Sequence, residues 1–394
     1  MTNNTPFTFI HTADWHIGNS FARFDRDMRK KLNRAIFRAV EMIFRYAQKR
    51  NVPLLLCAGD AVDNGQLCAK EDLFKLFEII KKYPDIQVVM IAGNHDPLLP
   101  QNIYSRVDKE TYPDNLRFVS GDEEISFAEW NLKLFASSLR AKNGSQNPLD
   151  WVKEKELDKG TINIGLCHGS IENEAFPGNS FPIPPQFAEQ QGLDYLALGD
   201  WHSYKKINSR TYYPGVPEPL QFGDEGYPLE VTISAPGQVP QVETVTGVGQ
   251  YRWNQVEEIV GAESFGEFKS RLETVGDKEI RKLTLSGFLP VEKYKTYKEL
   301  LDLNRHRYFD IRDNVVVQPD DRELIQAADG FMAEVVRRLL QLKQSGGPLP
   351  EDILNPYATA HQSEVYKQAE TISREEIIDN ALLTIYTYFK ERQQ

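Results

Sequence analysis

The first two hundred residues repeat one arrangement: a short apolar run stops, and the next few residues are acids, histidines and glycines. Phe7 to Thr12 runs into Asp14 and His16. Pro53 to Ala58 runs into Gly-Asp-Ala-Val-Asp, which carries Asp60 and Asp63, and Gln87 to Ala92 runs into Gly-Asn-His-Asp, which carries Asn94, His95 and Asp96. Two later runs, 161–167 and 193–198, are followed by His168 and by Gly-Asp-Trp-His, with Asp200 and His202. Runs of this length suit buried strands, and the stretches between them are amphipathic. Leu32, Ile36, Val40, Ile43 and Ala47 recur at helical spacing within about 26–49, and Lys70 to Lys82 reads as a second helix. The pattern predicts an α/β fold, in which ligand sites gather at the carboxyl ends of strands.

At 394 residues the chain exceeds one core of ordinary size, so two or three domains are expected. No apolar run reaches membrane-spanning length, since Pro-Leu-Leu-Leu-Cys-Ala at 53–58 is only strand-sized. The first residues, Met-Thr-Asn-Asn-Thr-Pro, lack the basic and apolar regions of a secretory signal, so a cytoplasmic protein without membrane attachment is expected. Cys57, Cys68 and Cys167 form neither a disulfide framework nor a zinc knuckle, and period-2 alternation turns Cys167 away from His168 into the core. The net charge of −11 argues against nucleic-acid binding by charge alone. Arg23 to Arg50 is the exception, with ten Lys/Arg against three Asp/Glu, and is expected to be a solvated helix face.

Beyond about residue 245 the texture changes. Strands at 251–260, 279–285 and 309–317 alternate with helices at 264–275 and 291–303, a small βαβαβ unit. Asp320 to Lys343 reads as one long amphipathic helix ended by Gln-Ser-Gly-Gly-Pro-Leu-Pro, and Ser373 to Glu391 as a closing helix with a capping-box start. The expected division is therefore 1–245, 246–319 and 320–394. No tandem period appears, so the Asp-Trp-His at 14–16 and again at 200–202 is not a repeat.

Four of the seven histidines, His16, His95, His168 and His202, stand at the predicted strand ends beside carboxylates or glycines, which points to metal binding. Mixed Asp, Asn and His ligands suit Mn²⁺, Fe²⁺ or Mg²⁺ better than the thiolate sites of structural zinc. Two such ions about 3.5–4 Å apart clamp the attacking and leaving oxygens of phosphoryl transfer, and one carboxylate must bridge them. His11 lies inside the first strand and reads as structural, while His306 and His361 read as surface residues. Trp15 and Trp201 have two readings, stacking on substrate bases or packing beneath their own loops. Lys205, Lys206 and Arg210 are either phosphate contacts or an exposed basic turn.

Asp-x-His, Gly-Asp-x-x-Asp, Gly-Asn-His-Asp, a lone His after a strand and Gly-x-x-His follow one another in that order. This series resembles the calcineurin-like metallophosphoesterase superfamily. Within it, His-Thr-Ala-Asp-Trp-His-Ile-Gly and Tyr-Tyr-Pro-Gly-Val-Pro-Glu-Pro-Leu-Gln-Phe (212–222) resemble the SbcD-type nuclease subunit of double-strand-break repair complexes. The resemblance covers roughly residues 7–230. It implies a two-sheet sandwich flanked by helices, followed by a small α+β capping domain and a helical C-terminal tail for partner docking or dimerisation. It implies that Asp14, His16 and His202 bind one ion, that Asp60 bridges, and that Asn94, His168 and Asp200 bind the second. His95 is then the catalytic histidine, with the Asp63 carboxylate orienting it, and a two-metal-activated hydroxide attacks phosphorus. The implied cofactors are two divalent ions, Mn²⁺ first with Mg²⁺ or Fe²⁺ as alternatives. The implied partners are DNA, an SbcC-type coiled-coil ATPase and a second copy of the chain.

One position departs from the pattern. The family has Gly-His-x-His where this chain has Gly-Asp-Trp-His, so Asp200 replaces a histidine. Asp200 is a direct oxygen ligand, reaches its ion through water, or marks a lost activity. The first reading is favoured because every other ligand position is filled. Two other functions stay open: a phosphoesterase for a small nucleotide-type substrate, and a non-catalytic subunit that binds DNA ends or scaffolds an ATPase.

Overall fold

The apolar runs that precede the candidate ligands are buried strands in a computed structural model that describes residues 6–172, 180–318, 321–328, 330–345 and 374–392. With elements numbered in chain order, β1 (Phe7–Thr12), β2 (Leu54–Cys57), β3 (Gln87–Met90) and β4 (Leu116–Phe118) lie side by side and parallel. Every residue of β2, Leu-Leu-Leu-Cys, is buried, as a strand covered on both faces requires. Helices α1 (Arg26–Arg50) and α2 (Lys70–Lys81) are the crossovers that parallel neighbours need. The side chain of Asp25 caps α1 by accepting the Met28 N–H at 2.8 Å. The α1 face bearing Leu32, Ile36, Val40 and Ile43 is buried, and most of its Lys/Arg residues lie outside. Strands β11 (Leu229–Ile233) and β12 (Gln241–Thr244) extend the sheet antiparallel beyond β1.

The second sheet runs β5 (Asp122–Phe127), β6 (Leu132–Ser137), β7 (Ile162–His168), β8 (Tyr195–Gly199), β10 (Thr211–Tyr213) and β9 (Lys205–Lys206). Its four inner strands are parallel and its two edges antiparallel. Phe9, Leu54, Leu56 and Val89 from the first sheet share one core with Leu134, Ile164, Leu166, Tyr195 and Ala197 from the second. The result is the expected sandwich of two mixed sheets with flanking helices. The five strands that precede ligand motifs, β1, β2, β3, β7 and β8, all end at the edge where the sheets converge. Gly199 marks the convergence, because a Cβ there would lie 2.1 Å from the Ala58 carbonyl oxygen and 2.7 Å from His168 Nδ1.

The chain divides into two compact units, 1–253 and 254–394. Residues 246–253 lie with the first, where the Glu218 carboxylate accepts the N–H groups of Gln250 and Tyr251 at 2.7 and 2.8 Å. In the second unit β13 (Arg252–Val260), β14 (Glu279–Leu289) and β15 (Asp310–Val317) form a three-stranded sheet, with β14 and β15 parallel. Helices α4 (Phe265–Glu273) and α5 (Val291–Asn304) pack Phe268, Leu272, Tyr297 and Leu301 on the alternating Leu283, Leu285 and Leu289. The single helix expected over 320–343 is two, α6 (Asp321–Ala327) and α7 (Gly330–Ser345), because the chain turns at Gly330, whose φ is +50°. They pack with α8 (Arg374–Arg392) through Leu324, Val336, Leu340, Ile378 and Leu382. No described helix is long and apolar enough to cross a membrane.

Because main-chain atoms occupy the space, Gly199→Ala is expected to cost at least about 1–3 kcal/mol of stability in chemical denaturation. A variant as stable as the parent would show that the two sheets do not close on this residue.

Candidate metal centre

The loops after β1 and β2 continue the parallel pairing beyond the strands. Asp14 N donates to Gly59 O at 3.1 Å, His16 N to Asp60 O at 2.9 Å and Ile17 N to Ala61 O at 3.0 Å. To turn their side chains inward, Asp14, His16 and Asp60 take φ of +54°, +46° and +51°, and Asp200 takes +110°. Nine described non-glycine residues have positive φ, and four of them are proposed ligands. Such conformations cost about 1 kcal/mol or more each and survive only where the surroundings enforce them.

Asp60 stands at the middle. Its Oδ1 accepts the His95 N–H at 2.8 Å, while its Oδ2 lies 3.8 Å from His16 Nε2 and 3.5 Å from His168 Nε2. A Cβ on Gly93 would lie 2.2 Å from Asp60 Oδ1, so only glycine lets the two loops approach. Two groups of closely spaced ligand atoms share Asp60: His16 with His95, and Asp14 with His168. Asp14, expected on the side of His16, thus stands between the two, with Oδ1 4.0 Å from His168 Nδ1 and its charge acting on His202 as well.

His16, His168 and His202 each have an oxygen within 3.4 Å of Nδ1, with Nε2 turned to the centre. His16 Nδ1 lies 3.3 Å from Asp63 Oδ1, His202 Nδ1 lies 3.4 Å from Asp224 Oδ1, and His168 Nδ1 donates to Ala58 O at 2.9 Å. The Nε2 atoms of His16 and His202 then face each other at 3.2 Å, close enough for a shared proton or for a cation that takes both. On the other side His168 Nε2 and Asn94 Oδ1 are buried with no hydrogen-bond partner. Asp200 Oδ1 is 3.8 Å from that Nε2 and 3.4 Å from Asn94 Nδ2, and the Ser170 hydroxyl holds Asp200 Oδ2. Orphaned acceptors, facing imidazoles and three carboxylates in a buried cluster fit two divalent cations.

The titration behaviour agrees. Burial pushes the Asp14 carboxyl up, against the pull of His168. Burial opposes protonation of His168, but Asp60, Asp14 and Asp200 outweigh it and raise its pKa. Burial lowers His16, whereas the Asp224 contact lifts His202 despite burial, so a proton between those rings resides on His202.

Several expected roles change in the fold. The Asp63 carboxylate does not orient His95: it turns to His16 and takes the Asn19 amide at 2.8 Å, and the Asp63 main-chain carbonyl accepts from His95 Nδ1 at 2.9 Å. A carbonyl only accepts, so His95 Nδ1 keeps its proton and the exchangeable position is Nε2 on an exposed ring. Trp15 offers no face to a substrate, being 1% exposed with its indole N–H donated to Thr12 Oγ1 at 2.9 Å. Trp201 is 51% exposed. Lys205 and Lys206 are exposed on β9, but Arg210 donates to the carbonyls of Asp194, Gly237 and Gln238, which leaves it structural. His11 bonds Tyr195 Oη and Leu198 O, and burial lowers its pKa to about 3, so it stays neutral. Cys57, Cys68 and Cys167 are free and buried, His306 is exposed, and His361 lies outside the described residues.

Other residues support the cluster in roles that the sequence motifs do not assign. Asp96, fully buried, accepts from Gly93 N, Val62 N and Tyr104 Oη and ties the β2 and β3 loops together. Tyr213 donates to Gly169 O at 2.7 Å and accepts the Ile171 N–H at 2.9 Å, bracing the segment after His168. Asp224 follows the 212–222 stretch by two residues and is the partner of His202.

Because burial raises the Asp14 pKa and the surrounding carboxylates raise that of His168, ions must compete with protons for the cluster. Apparent affinity is therefore expected to rise with pH across neutrality, with on the order of one proton released per protein. Calorimetry in buffers of different ionisation enthalpy reads the count, and uptake without proton release contradicts the arrangement.

Comparison with known proteins is consistent with this geometry. The uncharacterized metallophosphoesterase YhaO of Bacillus subtilis is 26% identical over 241 residues, 57% of this chain and 57% of that protein. The DNA double-strand break repair protein Mre11 of Methanopyrus kandleri is 22% identical over 231 residues, 54% of this chain and 49% of that protein. The SbcD component of the nuclease SbcCD of Rhodobacter capsulatus is 24% identical over 283 residues, 59% of this chain and 68% of that protein. The chain spans about half the length of the first two. Residues 7–204 match the calcineurin-like phosphoesterase family, and the chain belongs to it.

Proposed function

We propose that the chain is a two-metal phosphodiesterase that cuts DNA. The observation that carries the reading is the cluster around Asp60 Oδ2, with His168 Nε2 at 3.5 Å, His16 Nε2 at 3.8 Å, and His202 Nε2 3.2 Å beyond His16. Calcineurin-like phosphoesterases use a dinuclear metal centre. Here Asp14, His16, His202 and Asp60 would hold one ion, and Asp60, Asn94, His168 and Asp200 the other. Bound divalent ions supply Lewis acidity towards a phosphate and acidify water. His95 stands exposed beside the pair, and its Nε2, when protonated, donates to the oxygen that leaves phosphorus. DNA as the substrate is supported by the similarity to Mre11 and to the SbcD component of SbcCD. The second unit, with a cap at 254–319 and helices from 320 to 394, would guide DNA and dock a coiled-coil ATPase or a second copy.

Asp200 offers an oxygen where the family pattern has a nitrogen, which favours hard ions, Mn²⁺ first and then Mg²⁺. A small-substrate phosphoesterase remains the second reading, favoured by the similarity to YhaO, whose name specifies no substrate.

The test incubates labelled DNA and a small chromogenic phosphodiester with Mn²⁺ or Mg²⁺. Cleavage of DNA is expected, with Asp60→Ala and His95→Ala each lowering it by roughly 100-fold or more, beyond the range typical of outer-layer partners. Asp200→His is expected to lower the Mg²⁺-supported rate more than the Mn²⁺-supported one. Hydrolysis of the small ester alone supports the second reading, and DNA cleavage indifferent to both variants refutes the proposed centre.

A further inference from the structure

Trp201 is the side chain beside the metal centre that the centre does not use. Its neighbours Asp200 and His202 turn inward to the cluster, yet the indole itself is 51% exposed. An indole has a π-face, so its place next to the proposed ligands, rather than its exposure, marks it out. The Lys205 ammonium lies over one face of the ring, 4.7 Å from its centroid and within cation–π range, so a stacked base takes the other face or displaces it. Tyr204 is 36% exposed beside it, and Lys206 is exposed on the same short strand. Residues 201–206, Trp-His-Ser-Tyr-Lys-Lys, contain no acid in a chain of net charge −11. Among the described residues Lys205 makes no ion pair with a carboxylate.

We propose that Trp201 is a stacking platform for an unpaired base of the substrate strand, with Lys205 receiving an adjoining phosphate. Every base has a π-face, so an aromatic platform grips a strand without reading its sequence, while lysine supplies the charge. Because Trp201 is bonded directly to two proposed ligands, the stacked base belongs to a nucleotide at or beside the scissile phosphate. A base on this platform has left its duplex, so paired ends must fray before they are cut. The preferred substrate is then a single strand or an unpaired end. This inference rests on the proposed phosphodiesterase function and names the form of DNA that the site takes.

The experiment measures binding of the full chain by fluorescence anisotropy in chelator, so that nothing is cleaved. The probes are a labelled oligothymidylate, an abasic strand of equal length and, as a competitor, thymidine monophosphate. Trp201→Ala is expected to weaken oligothymidylate binding roughly 5- to 150-fold. Trp201→Phe retains most of the affinity, and the abasic strand binds the parent and Trp201→Ala alike. Lys205→Ala is expected to flatten the slope of log affinity against log salt by about 0.7. Equal oligothymidylate affinity of parent and Trp201→Ala overturns the inference and points to a protein covering the indole, while leaving the phosphodiesterase reading intact. An equal loss on the abasic strand overturns it by placing the effect outside stacking. Thymidine monophosphate binding as tightly as the strand overturns it in favour of a free nucleotide. No binding of any DNA by the parent sinks the inference and the DNA-cutting function together.

Discussion

The way the Asp60 carboxylate is held organises the whole edge that carries the proposed metal centre. One oxygen is fixed by the His95 main-chain N–H at 2.8 Å, and the other faces the imidazoles of His16 and His168 from opposite sides. The residue inherits its place from β2, which lies between β1 and β3 in the first sheet. His16 follows β1 in the same sheet, whereas His168 ends β7 and His202 follows β8 in the second, so the distance from Asp60 to those two is set by the distance between the sheets. Anything that separates the sheets separates the proposed ligands, which is why Gly199 is needed where it is, while Gly93 lets the β3 loop approach Asp60 within the first sheet.

Behind the ligands stands a layer that fixes orientation before any ion arrives. Asp63 backs His16, Asp224 backs His202, the Ala58 carbonyl backs His168, and Ser170 holds the outer oxygen of Asp200. Fixed rings need no reordering when an ion binds, which favours affinity. The cost appears as positive φ at Asp14, His16, Asp60 and Asp200, and as mutual repulsion among buried acids in the metal-free protein. Stability and loading are therefore coupled, since an ion that satisfies the cluster also relieves the charge that burial penalises.

The proposed ligands stand out in the sequence because each follows a buried strand, a local signal that needs no coordinates. Which side chain stands behind which is not. Spacing alone assigns the Asp63 carboxylate to His95, but pairing between the β1 and β2 loops turns it towards His16 and leaves only its carbonyl for His95. Asp224 lies in a loop beyond the last motif, and nothing local ties it to His202. Strands β5 and β12 carry no clear signal because Asp-Glu-Glu-Ile-Ser-Phe and Gln-Val-Glu-Thr are polar edge strands without an apolar run. Leu-Glu-Val-Thr-Ile alternates as a strand should, but nothing local marks the antiparallel pairing of β11 with β1. In the second unit a helical period continues across Ala-Asp-Gly, so the break between α6 and α7 is visible only in the glycine.

The most direct test of the account is anomalous X-ray diffraction from crystals grown with Mn²⁺. Two peaks are predicted about 3.5–4 Å apart, with Asp60 touching both and Asp200 contacting the one nearer His168. A single peak, or a pair that Asp60 does not bridge, would contradict the central claim that this carboxylate joins two ions at the meeting of the sheets.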